Sequence, residues 1–110
     1  STLTILPGKM VKVDHHETLA DGCAGGVDSD TITLGLGTEV IDDLIDCSEQ
    51  QIESGLKQIA WSEKMLVEGS AGLAYAAWQQ DAQKNKNKIS AVVLCGANFD
   101  KETLSPIVNS

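Results

Sequence analysis

The amino-acid sequence predicts an α/β domain, a small and mainly parallel sheet with helices packed on it, and three stretches carry that prediction. Ile89–Leu94 is an apolar, partly β-branched run too short for a helix, the pattern of a strand buried on both faces. Ser48-Glu49-Gln50-Gln51 has the form of a capping box opening a helix, and Ser70 to Trp78 is a helix of small residues able to lie close to a sheet. The strand stops in Cys95-Gly96-Ala97-Asn98, which are small and turn-forming. Ligands of open α/β sheets gather at the carboxyl ends of strands, so Cys95 is placed where a thiol can touch one. Taken alone, this stretch reads more simply as a buried cysteine next to a turn.

The elements follow in order. Pro7-Gly8 marks a turn, and Val11 and Val13 alternate with Lys12 and Asp14, the period of a short half-buried strand or extended segment. Asp14-His15-His16-Glu17 offers metal-ligand chemistry, but adjacent side chains point in different directions and no second cluster completes a coordination sphere. A solvated polar loop is expected there, and no metal. Gly22, Gly25 and Gly26 crowd the next segment without the spacing of a dinucleotide fingerprint or a phosphate loop, so it reads as a flexible loop.

From Asp30 as N-cap, Ile32, Leu34, Leu36 and Val40 suggest a short helix weakened by Gly35 and Gly37, although their alternation also fits a strand. Leu44–Cys47 is a short strand, and a helix is expected over Glu49–Trp61. Within it Ile52, Leu56 and Ile59 form one apolar stripe, Cys47 and Ile52 are set for a hydrophobic staple, and Glu53 pairs with Lys57 outside. That helix is structural. Met65-Leu66-Val67 is a short apolar run ended by Glu68-Gly69, and a helix is expected over Ala71–Gln80. Glu68, between strand and helix, would need a partner if partly buried. Asn85-Lys86-Asn87 is a surface loop, and Lys101 to Val108 reads as a terminal helical turn broken by Pro106.

Composition narrows the function. The 110 residues make one domain, 1–110, able to bury roughly two thirds of its unfolded surface. A formal net charge of −8 with no basic cluster excludes nucleic acid and anionic membrane as natural partners, and scarce aromatics leave no stacking platform for bases. No apolar run approaches the ~20 residues of a membrane span. No signal-peptide pattern opens the sequence, and the missing initiator Met suggests processing or trimming. Cys23, Cys47 and Cys95, an odd number at unrelated spacings, are neither a disulfide framework nor a zinc pattern and suit the cytoplasm.

The order of Glu17-Thr18-Leu19-Ala20-Asp21-Gly22, Val40-Ile41-Asp42-Asp43, Cys47-Ser48-Glu49, Lys64-Met65-Leu66-Val67-Glu68-Gly69 and Val93-Leu94-Cys95-Gly96-Ala97-Asn98 resembles the serine/threonine dehydratases. These are pyridoxal-phosphate enzymes of fold type II, a group that includes threonine deaminases and serine racemases. The resemblance covers nearly all of the chain and matches the carboxyl-terminal part of that catalytic domain. It implies that Cys95 holds the position of the Ser or Cys that hydrogen-bonds the cofactor's pyridine nitrogen. A neutral partner there leaves the nitrogen largely unprotonated and favours elimination of a β-hydroxyl. It also implies that Gly22 and Gly96 lie beside the cofactor, Glu68 near its ring, and Asp21 on the side of a small amino-acid substrate. Where the family commonly has Glu-Pro, this sequence has Glu68-Gly69.

Other parts of the family pattern are missing from these residues. No Ser-x-Lys-x-Arg-Gly type motif supplies the Schiff-base lysine, Lys9, Lys12 and Lys64 stand in other contexts, and the phosphate-cradling glycine loop and the acidic metal site that follows it are absent. No catalytic residue is therefore assigned. The resemblance implies a partial dehydratase domain, inactive alone, with a free-standing interaction module or a small-ligand binder as alternatives. Association is expected with a complementing amino-terminal chain or with a second copy. Ile89–Leu94 needs cover on both faces, and a two-fold contact near Leu73 and Trp78 is the low-cost solution for identical chains.

Overall fold

A computed structural model of the chain describes residues 2–6, 9–14 and 16–110. The expected turn at Pro7-Gly8 and the residue His15 lie outside the described residues. Strands β1 (Thr2–Leu6) and β2 (Lys9–Val13) pair antiparallel, with Thr2 opposite Val13 and Leu6 opposite Lys9. Among the described residues this pair is the only sheet.

Helix α1 (Ile32–Val40) resolves the helix-or-strand ambiguity in favour of helix. Its N-cap is Thr31 rather than Asp30, the Thr31 hydroxyl accepting from the Thr33 N–H at 3.4 Å. Helix α2 (Glu49–Gln58) starts as its sequence demands. The Ser48 hydroxyl accepts from the Gln51 N–H (3.3 Å), and the Gln51 side chain accepts from the Ser48 N–H (2.7 Å). The α-helix stops at Gln58, earlier than Trp61, because the chain widens into a π turn over Ile59–Glu63 and leaves it through Lys64 in the left-handed region. That turn keeps Ile59 fully buried and lets the Trp61 indole N–H donate to the Val108 carbonyl (2.8 Å).

Helix α3 (Gly69–Gln80) begins two residues before the expected Ala71, with Glu68 as N-cap. Helix α4 (Lys101–Val108) is continuous through Pro106, in place of the expected break. Proline in a helix removes one backbone bond, but here Asp100 caps the first turn by accepting from the Thr103 N–H (2.7 Å), and the buried Leu104 and Ile107 anchor both sides of the proline.

Ala20, Ile52, Leu56, Ile59, Val67, Ala71, Leu104 and Ile107 form the core. Helices α2 and α3 meet closely there because Gly55 faces Gly72 and neither backbone carries a side chain at the crossing.

The two strands expected at Leu44–Cys47 and Ile89–Leu94 carry no ladder among the described residues. Val92 and Leu94 turn inward and are half-buried, Leu94 against the core, while Ile89 is fully exposed at 104%. The sequence predicts burial on both faces, and one face is in the open. A ladder needs two extended backbones side by side, and the bond that approaches one here is a single contact, Glu68 N–H to the Gly96 carbonyl (3.4 Å). The chain is open as a consequence. Its accessible surface is 7833 Å² and its radius of gyration 15.0 Å, against about 5,800 Å² and about 13 Å for a closed domain of this mass and length.

Candidate functional site

The apolar run Met65–Val67 delivers Glu68 to the start of α3, and the backbone after Leu94 returns to the same place. Gly96 sits at φ +80°, a conformation that side chains rarely adopt, and a Cβ there would land on the Glu68 carboxylate. The third segment of the site is the loop through Leu19–Cys23. Its carbonyl at Leu19 fills the space a Cβ on Gly69 would need, which accounts for a glycine after Glu68 in this chain. A Cβ on Gly22 would fall 2.9 Å from the Ser70 hydroxyl.

Three of the residues singled out from the sequence therefore converge on the first turn of α3: Glu68, Gly96 and Gly22. Cys95 is exposed, next to Gly96, with a free thiol. Asp21 is exposed and lines an open cleft of about 590 Å³ between the Glu17–Asp21 loop and α4, which Gly69 at the start of α3 also lines. Asn98, Thr103 and Leu104 line the opposite wall of that cleft. Glu68 is half-buried, and its carboxylate has no hydrogen-bond or ion-pair partner among the described residues; its backbone is held, the N–H donating to the Gly96 carbonyl and the carbonyl accepting from Ala71 and Gly72 at 3.0 and 3.2 Å.

Sequence reasoning missed two residues here. Glu49, read as structural, holds the site loop: its carboxylate accepts from the Thr18 hydroxyl and from the Leu19 N–H (2.9 Å). An acidic residue in the first helical turn was its signal, but capping gave a sufficient local reason for it. Ser70 is only 8% exposed, and its hydroxyl has no hydrogen-bond partner among the described residues. Nothing in the sequence marks it out.

Among the described residues the charge in the cleft is of one sign: Glu17, Asp21, Glu49 and Asp100 line it and no lysine does. Hydrogen bonds from the Thr103 side chain, then from its backbone, hold the Asp100 carboxyl below its usual value. The lysines with described partners are engaged elsewhere: Lys57 with Ser110, Lys64 with the Trp61 carbonyl, and Lys84 with Asp43 and Asp81. Burial, then the neighbouring Asp46, pushes the Cys47 thiol up, so Cys47 is a protonated packing residue rather than a nucleophile. Among the described residues no three of His, Cys, Asp and Glu converge as metal ligands, and no helix is long and apolar enough to cross a membrane.

Comparison with known proteins places the chain in a family of cofactor enzymes. Residues 3–96 match the pyridoxal-phosphate dependent enzymes, and the chain belongs to that family, whose cofactor is pyridoxal phosphate. A serine racemase of Schizosaccharomyces pombe is 32% identical over 95 residues, covering 86% of this chain and 29% of that protein. An L-threonine ammonia-lyase of Geobacter sulfurreducens is 30% identical over 104 residues, covering 92% and 25%. Serine racemase from Dictyostelium discoideum superposes with a TM-score of 0.67 at 27% identity over 78% of this chain and 28% of its own. Maize serine racemase shares the fold at a TM-score of 0.75, 24% identity, 90% of this chain and 31% of its own. The chain thus spans 25 to 29% of the length of these two curated relatives.

Proposed function

We propose that this chain is the carboxyl-terminal part of a serine/threonine dehydratase-like catalytic domain, and that its 110 residues do not deaminate serine or threonine by themselves. The observation that carries the reading is the meeting of Glu68, Gly96 and Gly22 on the first turn of α3, with Cys95 beside them and every partnered lysine elsewhere. In this reading the Cys95 thiol would donate a hydrogen bond to the ring nitrogen, Gly22 and Gly96 would lie beside the ring with Glu68 near it, and Asp21 would lie on the side of a small hydroxy amino acid. Pyridoxal phosphate, when bound, supplies the electron sink for elimination.

The residues present fit the ring edge of that group and not the rest of it. The acids lining the cleft disfavour a phosphate, and the sequence contains neither the phosphate-cradling glycine loop nor a Schiff-base lysine motif, so no catalytic step is assigned to this chain. The finer architecture, a parallel sheet containing Leu44–Cys47 and Ile89–Leu94, belongs to the same proposal and would form once further strands lie alongside. Three free cysteines suit the reducing cytoplasm.

Incubation of the pure chain with pyridoxal phosphate and L-serine, followed by pyruvate formation, tests the reading, and no turnover is expected. Turnover that survives replacement of every lysine would overturn it. Turnover lost with one lysine would overturn it too and name the missing base.

A second reading is self-association. The open face of Ile89–Leu94 and the half-exposed Trp78 on α3 support a homodimer in which each copy covers the other.

A further inference from the structure

Burying a hydroxyl without a partner is unfavourable, so a loop that lies against one has to be held there by something else. The short turn over Asp21–Cys23 is in that position. The Ser70 hydroxyl, in the first turn of α3, is buried with no hydrogen-bond partner among the described residues. The Gly22 backbone passes so close to it that a Cβ would fall 2.9 Å from the hydroxyl oxygen. The turn's own bonds are local. Cys23 N–H donates to the Ala20 carbonyl (2.9 Å) and Ala24 N–H to the Asp21 carbonyl (3.0 Å), which fixes the shape of the turn but not its place on α3.

The place is fixed just upstream, by α2. Glu49 accepts from the Thr18 hydroxyl on one carboxylate oxygen and from the Leu19 N–H on the other, the second at 2.9 Å. The Thr18 oxygen accepts in turn from the Ala20 N–H (3.1 Å). Ala20 then enters the core at 2% exposure, and the Leu19 carbonyl rests on the bare backbone of Gly69. Among the described residues no other side chain from outside the segment bonds to Thr18–Cys23.

We propose that Glu49 is a positioning residue of the cofactor site: by taking one hydrogen bond on each carboxylate oxygen it holds Thr18–Cys23 down on α3, and so sets where Gly22 lies relative to Glu68 and Gly96. This role rests on the first turn of α3 being the ring side of a pyridoxal-phosphate site, and it gives Glu49 no contact with cofactor or substrate. An acid in the first turn of a helix also favours that helix through its charge alone. Glutamine separates the two roles. Its carbonyl oxygen still accepts from the Leu19 N–H and its NH₂ can donate to the Thr18 oxygen, so the geometry survives and the charge does not.

The test is amide hydrogen exchange of the full chain, read residue by residue by nuclear magnetic resonance. Glu49→Ala should speed exchange at Leu19, Ala20, Cys23 and Ala24 about tenfold or more, because both bonds to a charged acceptor are lost. Ile52 and Leu56 in α2 should be unchanged, since Ser48 and Gln51 still close the capping box. Glu49→Gln should restore most of the protection. Ser70→Ala, which removes the buried hydroxyl, should slow exchange of the same loop amides in the Glu49→Ala background. Unchanged loop exchange in Glu49→Ala, equal acceleration in the loop and in α2, Glu49→Gln as fast as Glu49→Ala, or a Ser70→Ala without effect would each overturn the proposal. Exchange is measured without pyridoxal phosphate, so failure here leaves the cofactor site in place. Pyruvate formation by the isolated chain would instead remove that reading and leave the loop result standing.

Discussion

Replacing Gly55 by alanine puts the closest contact of the core to the test. Alanine in a helix interior is favoured over glycine by about 1 kcal/mol, so propensity alone predicts stabilisation. Against this, a Cβ on Gly55 would fall 2.8 Å from the Gly72 carbonyl oxygen, and 3.6 Å from the Ala76 nitrogen. The obstacle is helical backbone, which cannot swing aside as a side chain can. α2 and α3 must therefore separate by about half an ångström to restore ordinary contact, and a gap of that size forfeits roughly a quarter of the dispersion attraction between the facing surfaces. Ile52, Leu56 and Ala71 all sit in the core that would open. Overpacking of this kind costs about 1–3 kcal/mol, so the net effect is a loss of up to about 2 kcal/mol and a fall in Tm of up to roughly 10 °C. Urea unfolding followed by far-ultraviolet circular dichroism reads it directly. Gly35→Ala is the internal control, because a Cβ at Gly35 on exposed α1 would meet nothing within 4 Å. It should leave stability unchanged or raise it by up to about 1 kcal/mol. A Gly55→Ala protein more stable than the parent by about 1 kcal/mol, the full gain expected from helix propensity alone, would refute the close crossing of α2 and α3.

Acid should loosen α4 through its cap. Hydrogen bonds from Thr103, side chain first and backbone second, lower the folded Asp100 value below its ordinary 3.8. A depressed carboxylate contributes stability that is complete above 3.8 and disappears as pH falls through the folded value. Asp100→Asn keeps an acceptor for the Thr103 N–H and should remove that part of the acid sensitivity of the helical signal; an unchanged acid profile would contradict the capping role. For the self-association reading, sedimentation equilibrium over a wide dilution series is expected to show a dimer, weakened by Trp78→Ser, and a well-folded monomer at micromolar concentration would refute it.

Short-range physics made the helices legible. The Ser48 capping box, the Ile52, Leu56 and Ile59 stripe and the Asp100 cap each act over a turn or two, so the residues that cause the structure are adjacent to it in the chain. The ends were less legible where the cause was distant: the π turn after Gln58 serves a bond from Trp61 to Val108, and α4 survives Pro106 because Leu104 and Ile107 are buried under other elements. Motif order was enough to place the chain in its cofactor family, but not to say that Gly22, Glu68 and Gly96 meet. That meeting depends on Leu19 crossing Gly69 and on the Glu68 carboxylate resting against Gly96, contacts between segments distant in the sequence. Apolar composition, in contrast, marked Ile89–Leu94 as a strand without deciding whether it would be covered. A strand's hydrogen bonds and its cover come from neighbouring segments, so sequence supplied the preference for an extended backbone and only the tertiary structure decided that one face stays open.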